Sequence, residues 1–500
     1  MAALNRLVVN ADREIATIDR GIYGHFAEHL GRCIYDGFWV GEGSPVPNAR
    51  GIRTDVVEAL RRIRPAVLRW PGGCFAEEYH WRDGVGPRAQ RPRRVNTFWG
   101  GVVETNQFGT HEFFDLCELL GAEPYVCGNV STGSPQETQE WLEYVNGEEE
   151  SELVAWRRRN GRERPFGLRY FGIGNENWGC GGRMRPEYYA DLYRRFQNHA
   201  KSHGPRPLFK IACGPRNDDY RWTEVLMREA APYMDGLALH YYTRFFSSGE
   251  NLTEPRGSAT EFPEDEWFRL LKRAGLTEEL VRRHSAIMDR YDPERRVALV
   301  VDEWGTWFGV EPGTNPHFLY QQNTMRDALV AAISLNVFNN HADRVRMAAI
   351  AQTVNVLQAM ILTEGARMVL TPTYHVFDLF SVHQGARLLD TALTCADYRF
   401  GDDSIPALSS SASRGRSGAV NLTVCNTNPG SPASLECELR GARCRAASGV
   451  VLAAPAMNAH NTFDSPERVR PARFTAIRQR EQAVEVELPP MSVVRLTLES

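Results

Sequence analysis

The stretch VALVVDEWG, residues 297–305, places five apolar residues directly before two adjacent carboxylates. An apolar run without polar alternation is typical of a β-strand that is buried on both faces, as in a parallel sheet. Residues 168–179, LRYFGIGNENWG, repeat the arrangement, because a mostly apolar run leads into Asn175 and Glu176. In both stretches a Trp follows the Glu within two residues. Together they predict a parallel α/β fold with acidic and aromatic side chains gathered at its strand ends.

Outward from these two stretches, short apolar segments alternate with longer amphipathic ones over the first 370 residues. The candidate strands are 22–27, 66–70, 123–129, 168–174, 209–213, 236–240, 297–301 and 347–351. The clearest helical patterns are 54–63, 111–120, 186–203, 222–231, 277–291 and 323–338. Eight such units predict a (β/α)8 TIM barrel. A doubly wound sheet is disfavoured, since no glycine-rich phosphate loop follows the first strand.

The pattern of apolar and polar residues changes after about residue 370. Short β-rich segments separated by Gly, Pro, Ser and Asn predict a C-terminal antiparallel β-sandwich over residues 371–500. Within it, the serine-rich stretch 409–417 is predicted to be an exposed loop. The N-terminal segment 1–18 has strand character and is expected to pair with the sandwich, which leaves residues 19–370 for the catalytic barrel.

Composition excludes several classes of function. The net charge of −4 and the alternation of Arg with acidic residues argue against a polyanionic partner such as nucleic acid. No basic segment followed by an apolar one opens the chain, so we expect no signal peptide and a cytoplasmic protein. No apolar run reaches the roughly 20 residues that a membrane span needs. The ten cysteines form no CxxC pair and are interpreted mainly as small buried apolar residues.

Glu176 and Glu303 carry the chemical prediction. Active sites of TIM barrels lie at the C-terminal ends of the strands, and these two residues follow the fourth and seventh candidate strands. Paired carboxylates beside aromatic residues suit glycoside hydrolysis, in which one protonates the leaving oxygen and the other attacks the anomeric carbon. Either Glu alone could equally be a salt-bridge partner or a helix cap. A metal site is disfavoured, because His25 and His29 have helical rather than strand-end ligand spacing, and no cofactor is expected.

Six motifs, taken in order, resemble those of glycoside hydrolase family 51, the α-L-arabinofuranosidases. They are YGHFAEHLGRCIY at 23–35, LRWPGGCF at 68–75, GNENWG at 174–179, LHYY at 239–242, VDEWG at 301–305 and AQTVNV at 351–356. The resemblance spans the predicted barrel, and the family also carries a C-terminal sandwich. It implies a retaining, exo-acting α-L-arabinofuranosidase that removes terminal arabinofuranosyl residues from oligosaccharides.

The resemblance also implies roles for individual residues. Glu176 corresponds to the general acid/base and Glu303 to the nucleophile. Arg69 should lie beside Glu303 and keep it ionised, and Tyr242 should donate to Glu303 or near the ring oxygen. The remaining matches imply contacts with sugar hydroxyls, and these residues are Glu28, Cys74, Asn175 and Gln352.

Several residues keep more than one interpretation. Trp99 could be a wall of the sugar subsite, which we favour, or a packing aromatic. Without the resemblance, Glu28 could be an ion-pair partner of Arg32 or His29, and Cys74 a core thiol. The role of His240 is open. The long connection 243–263 is expected to shape the aglycone side of the site.

The nearest alternative function is another retaining glycosidase of the same clan, a β-xylosidase or an endoglucanase. A non-hydrolytic carbohydrate-binding protein is disfavoured by the two intact carboxylates, and a barrel isomerase by the lack of a metal-ligand cluster. The resemblance further implies a homo-oligomer, often a hexamer. The expected partners are therefore arabinofuranosyl oligosaccharides and further copies of the chain, with no nucleic acid or membrane.

Overall fold

The computed structural model describes residues 5–245, 257–480 and 482–499. Most of the connection that was expected to shape the aglycone side, residues 246–256, lies outside the described residues. Among the described helices, none combines the length and the apolar character required to cross a bilayer.

Eight parallel strands close into a barrel, which confirms the predicted TIM-barrel fold. In chain order they are Gly24–Phe26, Val67–Trp70, Glu123–Gly128, Tyr170–Ile173, Phe209–Ala212, Gly236–Thr243, Ala298–Thr306 and Val345–Ile350. We refer to them as barrel strands one to eight. Strands six and seven run further than predicted because they pair with each other as far as Thr243 and Thr306. Glu303 therefore lies within a strand rather than beyond its end.

The α-helices pack around the barrel. They are Thr54–Ile63, Thr110–Leu120, Pro135–Asn146, Glu152–Arg159, Pro186–His199, Tyr220–Ala230, Glu264–Tyr291, Met325–Asn340 and Pro372–Phe380. Short 3-10 turns lie at Arg20–Tyr23, Cys74–Glu77, Trp81–Gly84, Arg88–Gln90, Ala231–Tyr233, Pro316–Phe318 and Ser381–His383. The seventh helix begins at Glu264, thirteen residues before the predicted start at position 277. A glycine inside a helix costs only about 1 kcal/mol, and burial of Trp267 and Leu271 offsets the cost of Gly275.

The second domain is a β-sandwich whose ten strands are hydrogen-bonded in one continuous order. Its strands are Asn5–Thr17, Arg387–Thr394, Leu408–Arg414, Val420–Asn426, Ala433–Arg440, Ala446–Leu452, Ala472–Phe474, Ile477–Gln479, Ala483–Leu488 and Ser492–Glu499. The N-terminal strand lies inside this sheet, antiparallel to Arg387–Thr394 and parallel to Ala433–Arg440. Two-stranded hairpins pair Asn48–Ala49 with Ile52–Arg53, Arg94–Val95 with Val103–Glu104, Ile361–Glu364 with Arg367–Leu370, and Asp397–Phe400 with Asp403–Pro406.

The helix Met325–Asn340 joins the two domains and is buried on nearly all sides. Its Asn339 donates to Ser411 at 3.1 Å, and Ser411 donates to Asn336 at 2.9 Å. The prediction of an exposed loop at 409–417 is therefore wrong for its first half. Those serines form a strand because the helix supplies buried hydrogen-bond partners for their hydroxyl groups.

Candidate active site

The side chains inside the barrel change from apolar to ionic along the barrel axis. At the N-terminal end of the strands the interior is apolar and holds Val67, Ile211, Val300 and Met347 among other residues. Towards the C-terminal ends the side chains become ionic, and this is the end where TIM-barrel sites lie. The change occurs within two residues on strand seven, since Val300 belongs to the apolar layer while Asp302 joins an ion-pair network.

Glu303, on strand seven, is held by a charged donor from strand two and a phenolic donor from strand six. Arg69 Nη1 donates to its Oε1 at 2.8 Å, and the Tyr242 hydroxyl donates to its Oε2 at 2.8 Å. Only 6% of its side chain is exposed. A β-carbon added to Gly73 would approach Glu303 Oε1 to 2.9 Å, so the backbone closes the space beside this oxygen. Two charge-assisted or phenolic hydrogen bonds therefore fix the orientation of the Glu303 carboxylate.

Glu176 lies on the turn after strand four and is more accessible, with 18% of its side chain exposed. Its φ angle of 43° is in the left-handed region, which is uncommon for a residue with a side chain. The turn is closed by Gly179 and Gly181, whose amides donate to the Glu176 carbonyl at 2.7 and 3.0 Å. One carboxylate oxygen of Glu176 lies within 4.8 Å of one from Glu303. The structure thus brings together the two carboxylates predicted from separate strands.

His240 on strand six connects the carboxylates. Its Nδ1 is 2.9 Å from Glu176 and 3.5 Å from Glu303, while its Nε2 is 3.2 Å from Asp302. Burial alone would lower the pKa of this imidazole, but Glu303 and the hydrogen-bonded Asp302 and Glu176 outweigh burial and raise the pKa to about 10. His240 is therefore an imidazolium at neutral pH, and it balances part of the negative charge of the site.

Arg69 is the second cation of this network and is fully buried. Besides Glu303 it donates to the Asn175 side-chain oxygen at 2.6 Å, and its Nε is 3.6 Å from Asp302. Burial opposes ionisation of Asp302, yet Arg69 and His240 lower its pKa below the ordinary value. The backbone amide of Asn175 donates to the buried Glu77 at 2.6 Å. One hydrogen bond from Arg69 to the side-chain oxygen and one from the backbone amide to Glu77 therefore fix the position of Asn175.

Glu28, Trp99 and Gln352 form a separate group of contacts. The Trp99 indole donates to Glu28 Oε1 at 2.9 Å, and the Gln352 amide donates to its Oε2 at 2.8 Å. The backbone amide of Phe75 adds a third donor at 3.1 Å. Burial and the nearby Glu303 raise the pKa of Glu28 to about 7 despite these donors. Glu28 is therefore partly protonated at neutral pH, and the pairing with Arg32 or His29 considered from sequence is replaced by neutral donors.

Cys74 and Cys180 form a disulfide, which departs from the interpretation of the cysteines as small buried apolar residues. The bridge links the turn after strand two to the turn after strand four. The Cys74 and Cys180 sulfur atoms lie 4.0 and 3.6 Å from Glu176 Oε2. The other cysteines are free thiols, and all of them except the half-buried Cys395 are buried. A pairing across 106 residues leaves no local signal in the sequence.

Among the residues that the structure describes, two groups of side chains come within reach of a shared metal ion. In the first, Cys74 and Cys180 accompany Glu176, but their sulfurs are joined and neither is a thiolate. In the second, His240 lies between Glu176 and Glu303, but its raised pKa makes it a donor rather than a ligand. The donor chemistry of both groups therefore fits a metal poorly.

Three contributors to the site were not singled out from sequence. Asp302 directly precedes Glu303, and its contact with His240 depends on the register of strands six and seven. Glu77 follows the LRWPGGCF motif and accepts hydrogen bonds from two neighbouring strand-end turns. Cys180 ends the turn that begins at Glu176. Only Asp302 had a sequence signal, which was a second carboxylate in VDEWG.

Comparison with known proteins gives consistent matches along the chain. The model of an α-L-arabinofuranosidase 1 domain matches residues 59–252, and that of an α-L-arabinofuranosidase C-terminal domain matches residues 302–492. An intracellular exo-α-L-arabinofuranosidase from Bacteroides ovatus is 47% identical over 99% of this chain and 95% of the relative.

Solved structures of arabinofuranosidases also match this chain. The crystal structure of a GH51 arabinofuranosidase from Xanthomonas axonopodis pv. citri has a TM-score of 0.97 at 51% identity, and the match covers 99% of this chain and 100% of that one. An α-L-arabinofuranosidase from Thermotoga maritima, solved as an arabinose complex, has a TM-score of 0.84 at 31% identity with the same coverage.

Proposed function

Since the chain belongs to glycoside hydrolase family 51, the α-L-arabinofuranosidases, we propose that it releases terminal α-L-arabinofuranosyl residues by double displacement at Glu176 and Glu303. The observation that carries the mechanism is the distance of less than 4.8 Å between carboxylate oxygens of these residues. An inverting enzyme needs carboxyl groups roughly 6.5–9.5 Å apart to admit a water molecule, whereas retaining enzymes have them about 5–5.5 Å apart. The short separation favours retention.

Glu303 is proposed as the nucleophile. It lies in a strand, and Arg69 and Tyr242 orient its two oxygens. Attack on the anomeric carbon forms a glycosyl ester and breaks the glycosidic bond. Because the carboxylate loses its charge in this step, the Tyr242 hydroxyl can shift its hydrogen bond towards the ring oxygen.

Glu176 is proposed as the acid/base, and its greater exposure suits a group that meets the leaving oxygen and then water. It gives its proton to the glycosidic oxygen as the bond breaks. In the second step it removes a proton from water, and the hydroxide displaces Glu303 to release arabinose with retained configuration. The His240 imidazolium beside both carboxylates limits the accumulation of negative charge through this cycle.

The sugar-binding side of the site is proposed to consist of the remaining predicted residues. Asn175 has its side-chain oxygen occupied by Arg69, so its amide group is the part available to the 2-hydroxyl. Glu28 and Gln352 offer a carboxyl group and an amide to the other hydroxyls, with Trp99 as a wall. The Cys74 side chain would contact the sugar as part of a disulfide rather than as a thiol.

A panel of p-nitrophenyl glycosides tests the substrate. We expect rapid release from the α-L-arabinofuranoside and release at least about a hundredfold slower from the β-xyloside and the cellobioside. Equal or greater activity on either of the last two would replace the proposal with a β-xylosidase or endoglucanase function.

Azide rescue tests the assignment of the two carboxylates. Azide should restore turnover of the Glu176→Ala variant on activated substrates and give an arabinofuranosyl azide with retained configuration. The Glu303→Ala variant should give only the inverted azide. Exchange of these two outcomes would reverse the roles of Glu176 and Glu303.

We further propose a cytoplasmic homohexamer that acts on arabinofuranosyl oligosaccharides. The relative from Bacteroides ovatus is named as intracellular, which supports the location. The hexamer follows from the family resemblance, and light scattering of the purified protein tests it: a monomer of 56.5 kDa would overturn it. The division into residues 1–18, 19–370 and 371–500 is also a proposal, and limited proteolysis followed by mass spectrometry tests it.

A further inference from the structure

The buried carboxylate Glu77 lies beside the turn that carries Glu176, and no step of the proposed mechanism uses it. It ends the 3-10 turn Cys74–Glu77 that follows barrel strand two, and only 2% of the residue is exposed. Its Oε1 accepts a hydrogen bond from the Asn175 backbone amide at 2.6 Å and another from the Asn177 side-chain amide at 2.8 Å. Glu77 therefore binds the residues on both sides of Glu176.

The other carboxylate oxygen of Glu77 binds the turn after strand three. Oε2 accepts from the backbone amides of Val130 and Ser131 at 2.9 and 2.8 Å. All four donors are neutral N–H groups. An ionised carboxylate accepts from each of them, whereas a protonated one would turn its own O–H towards an N–H. Burial raises the pKa of Glu77, and the four hydrogen bonds oppose that rise. One acceptor thus joins the turns after strands two, three and four.

Glu176 needs such support because its backbone conformation is strained. Its φ angle of 43° lies in the left-handed region, where a residue with a side chain remains only when the surrounding structure holds it there. The neighbours Asn175 and Asn177 are the residues that Glu77 binds. Without these two hydrogen bonds the strained segment could relax, and the Glu176 side chain would start from a different position.

Other contacts hold different parts of the same turn. The disulfide between Cys74 and Cys180 fixes its far end, and His240 contacts the Glu176 carboxylate at 2.9 Å. Glu77 holds the start of the turn, which sets the position of the Glu176 backbone. Proton transfer is sensitive to small errors in position, since a displacement of about 1 Å can cost about a hundredfold in rate.

We propose that Glu77 is a positioning residue for the acid/base. By holding Asn175 and Asn177, it fixes the place from which Glu176 delivers its proton to the leaving oxygen. The inference rests on the proposed function and assigns Glu77 no contact with the sugar. It implies that a change at Glu77 harms each substrate according to how much its leaving group needs a proton.

Two aryl substrates that differ in this need test the role of Glu77. The p-nitrophenolate of p-nitrophenyl α-L-arabinofuranoside leaves with little help, whereas the more basic phenolate of phenyl α-L-arabinofuranoside requires protonation. The measured quantity is the ratio of kcat/KM for the phenyl substrate to kcat/KM for the p-nitrophenyl substrate. In Glu77→Gln the ratio should fall about tenfold, because general acid catalysis contributes about 10²–10⁴-fold and part of it is lost. A loss of folded protein, or of a sugar contact made through Asn175, lowers both rates equally and leaves the ratio unchanged.

A double variant tests whether Glu77 acts through Glu176. The ratio in Glu77→Gln/Glu176→Ala should equal that in Glu176→Ala alone, because the acid that Glu77 positions is already absent. A further fall of the ratio in the double variant would show that Glu77 acts on the leaving group by another route, and would overturn the proposal.

Glu112→Gln is the matched control. Glu112 is also a buried carboxylate, with 3% of the residue exposed, and accepts from the Gly109 amide at 2.9 Å and from Arg91 at 3.0 Å. It lies in the first turn of the helix Thr110–Leu120, so its loss lowers stability without changing the turn of Glu176. The ratio should stay at the wild-type value. A fall equal to that of Glu77→Gln would assign the effect to general destabilisation and overturn the proposal.

The remaining outcomes are decisive as well. An unchanged ratio in folded Glu77→Gln overturns the proposal. If that variant fails to fold, Asn177→Ala replaces it, since this change removes one of the four hydrogen bonds to Glu77. Its ratio should fall about twofold to threefold, and an unchanged ratio would again overturn the proposal. Failure of the wild type to hydrolyse either substrate would instead refute the proposed function.

Discussion

The two halves of the barrel interior are built from the same strands but by opposite chemistry. The N-terminal half is packed with aliphatic side chains, including Val300 and Met347. The C-terminal half holds the cations Arg69 and His240 among carboxylates, nearly all of them buried. Burial of aliphatic groups stabilises the fold, whereas burial of ions costs solvation energy that the ion pairs only partly restore. The apolar half therefore stabilises the barrel so that the ionic half can be kept dry and ordered.

The ionic half needs its cations, because burial without them would favour the neutral forms of the carboxyl groups. Arg69 and His240 lower the pKa of the buried Asp302, whereas burial and Glu303 raise the pKa of Glu28 to about 7. Removal of a cation should thus be far more damaging than removal of a methyl group from the apolar half. The following experiments test this difference, beginning with the largest expected effect.

Arg69→Gln should be the most destabilising single change. It leaves Glu303 and Asp302 buried without their strongest partner, and breaking a buried pair costs about 3–5 kcal/mol. Activity should fall by at least about a hundredfold, because Glu303 and Asn175 both lose a donor. Urea unfolding and p-nitrophenyl arabinofuranoside kinetics measure the two effects. The exposed pair of Arg62 and Asp378 is the control, since Arg62→Gln should cost less than about 1 kcal/mol. Equal costs would refute the comparison.

His240→Gln should lower stability in a pH-dependent manner. The folded state raises the pKa of His240 to about 10 from 6.5, so the imidazolium stabilises the fold fully below pH 6.5. That contribution is lost as the pH rises towards 10. The difference in unfolding free energy between wild type and variant should therefore shrink by more than about 2 kcal/mol across this range.

His375 provides the opposite case for comparison. Burial lowers the pKa of His375 to about 4, so its titration affects stability only below pH 6.5. The His375→Gln difference should be constant between pH 6.5 and 10. A constant difference for His240→Gln as well would show that His240 is neutral in the folded protein.

Val300→Ala should destabilise the apolar half by about 2 kcal/mol through lost burial and a small cavity. Because the cavity lies on the far side of Asp302 from the site, kcat/KM should change less than about twofold at temperatures well below unfolding. Thermal unfolding and steady-state kinetics on the same preparation check this. A large loss of activity without a loss of stability would mean that the two halves are coupled more tightly than proposed.

Glu28→Gln should produce the smallest effect, a change in the shape of a pH profile. Burial and Glu303 raise the pKa of Glu28 to about 7, and kcat/KM reports ionisations of the free enzyme. In the wild type, kcat/KM should change a few-fold near pH 7, because Glu28 is protonated at lower pH and becomes an anion at higher pH. The variant should lack this change while it keeps the outer limits set by the other groups. Persistence of the change would assign it to another residue.

Sequence patterns predicted the barrel because periodicity and strand-end Glu residues are local signals. The order of apolar runs located all eight strands, and the motifs brought Glu176 and Glu303 to attention. The roles of the site residues stay predictions until the experiments above are done. The end of strand seven was missed, since its extension depends on pairing with strand six rather than on its own residues.

Features that depend on distant partners could not be predicted. The Cys74–Cys180 bridge and the contact of His240 with Asp302 join segments whose proximity is a property of the closed barrel. The strand at Leu408–Arg414 looked like a loop because its serines find their partners on the helix Met325–Asn340. In each case the deciding interaction lies more than 50 residues away in sequence.

The N-terminal strand has a consequence for the synthesis of the protein. Asn5 pairs with Leu435, so during synthesis this strand waits for about 430 further residues before one of its two neighbours exists. At roughly 5–20 residues per second this is a delay of roughly 20 to 90 s. During that time an unpaired strand edge is exposed, and its charged residues Arg6, Asp12, Arg13 and Glu14 act against self-association. Removal of the strand Asn5–Thr17 should therefore disturb the sandwich rather than the barrel.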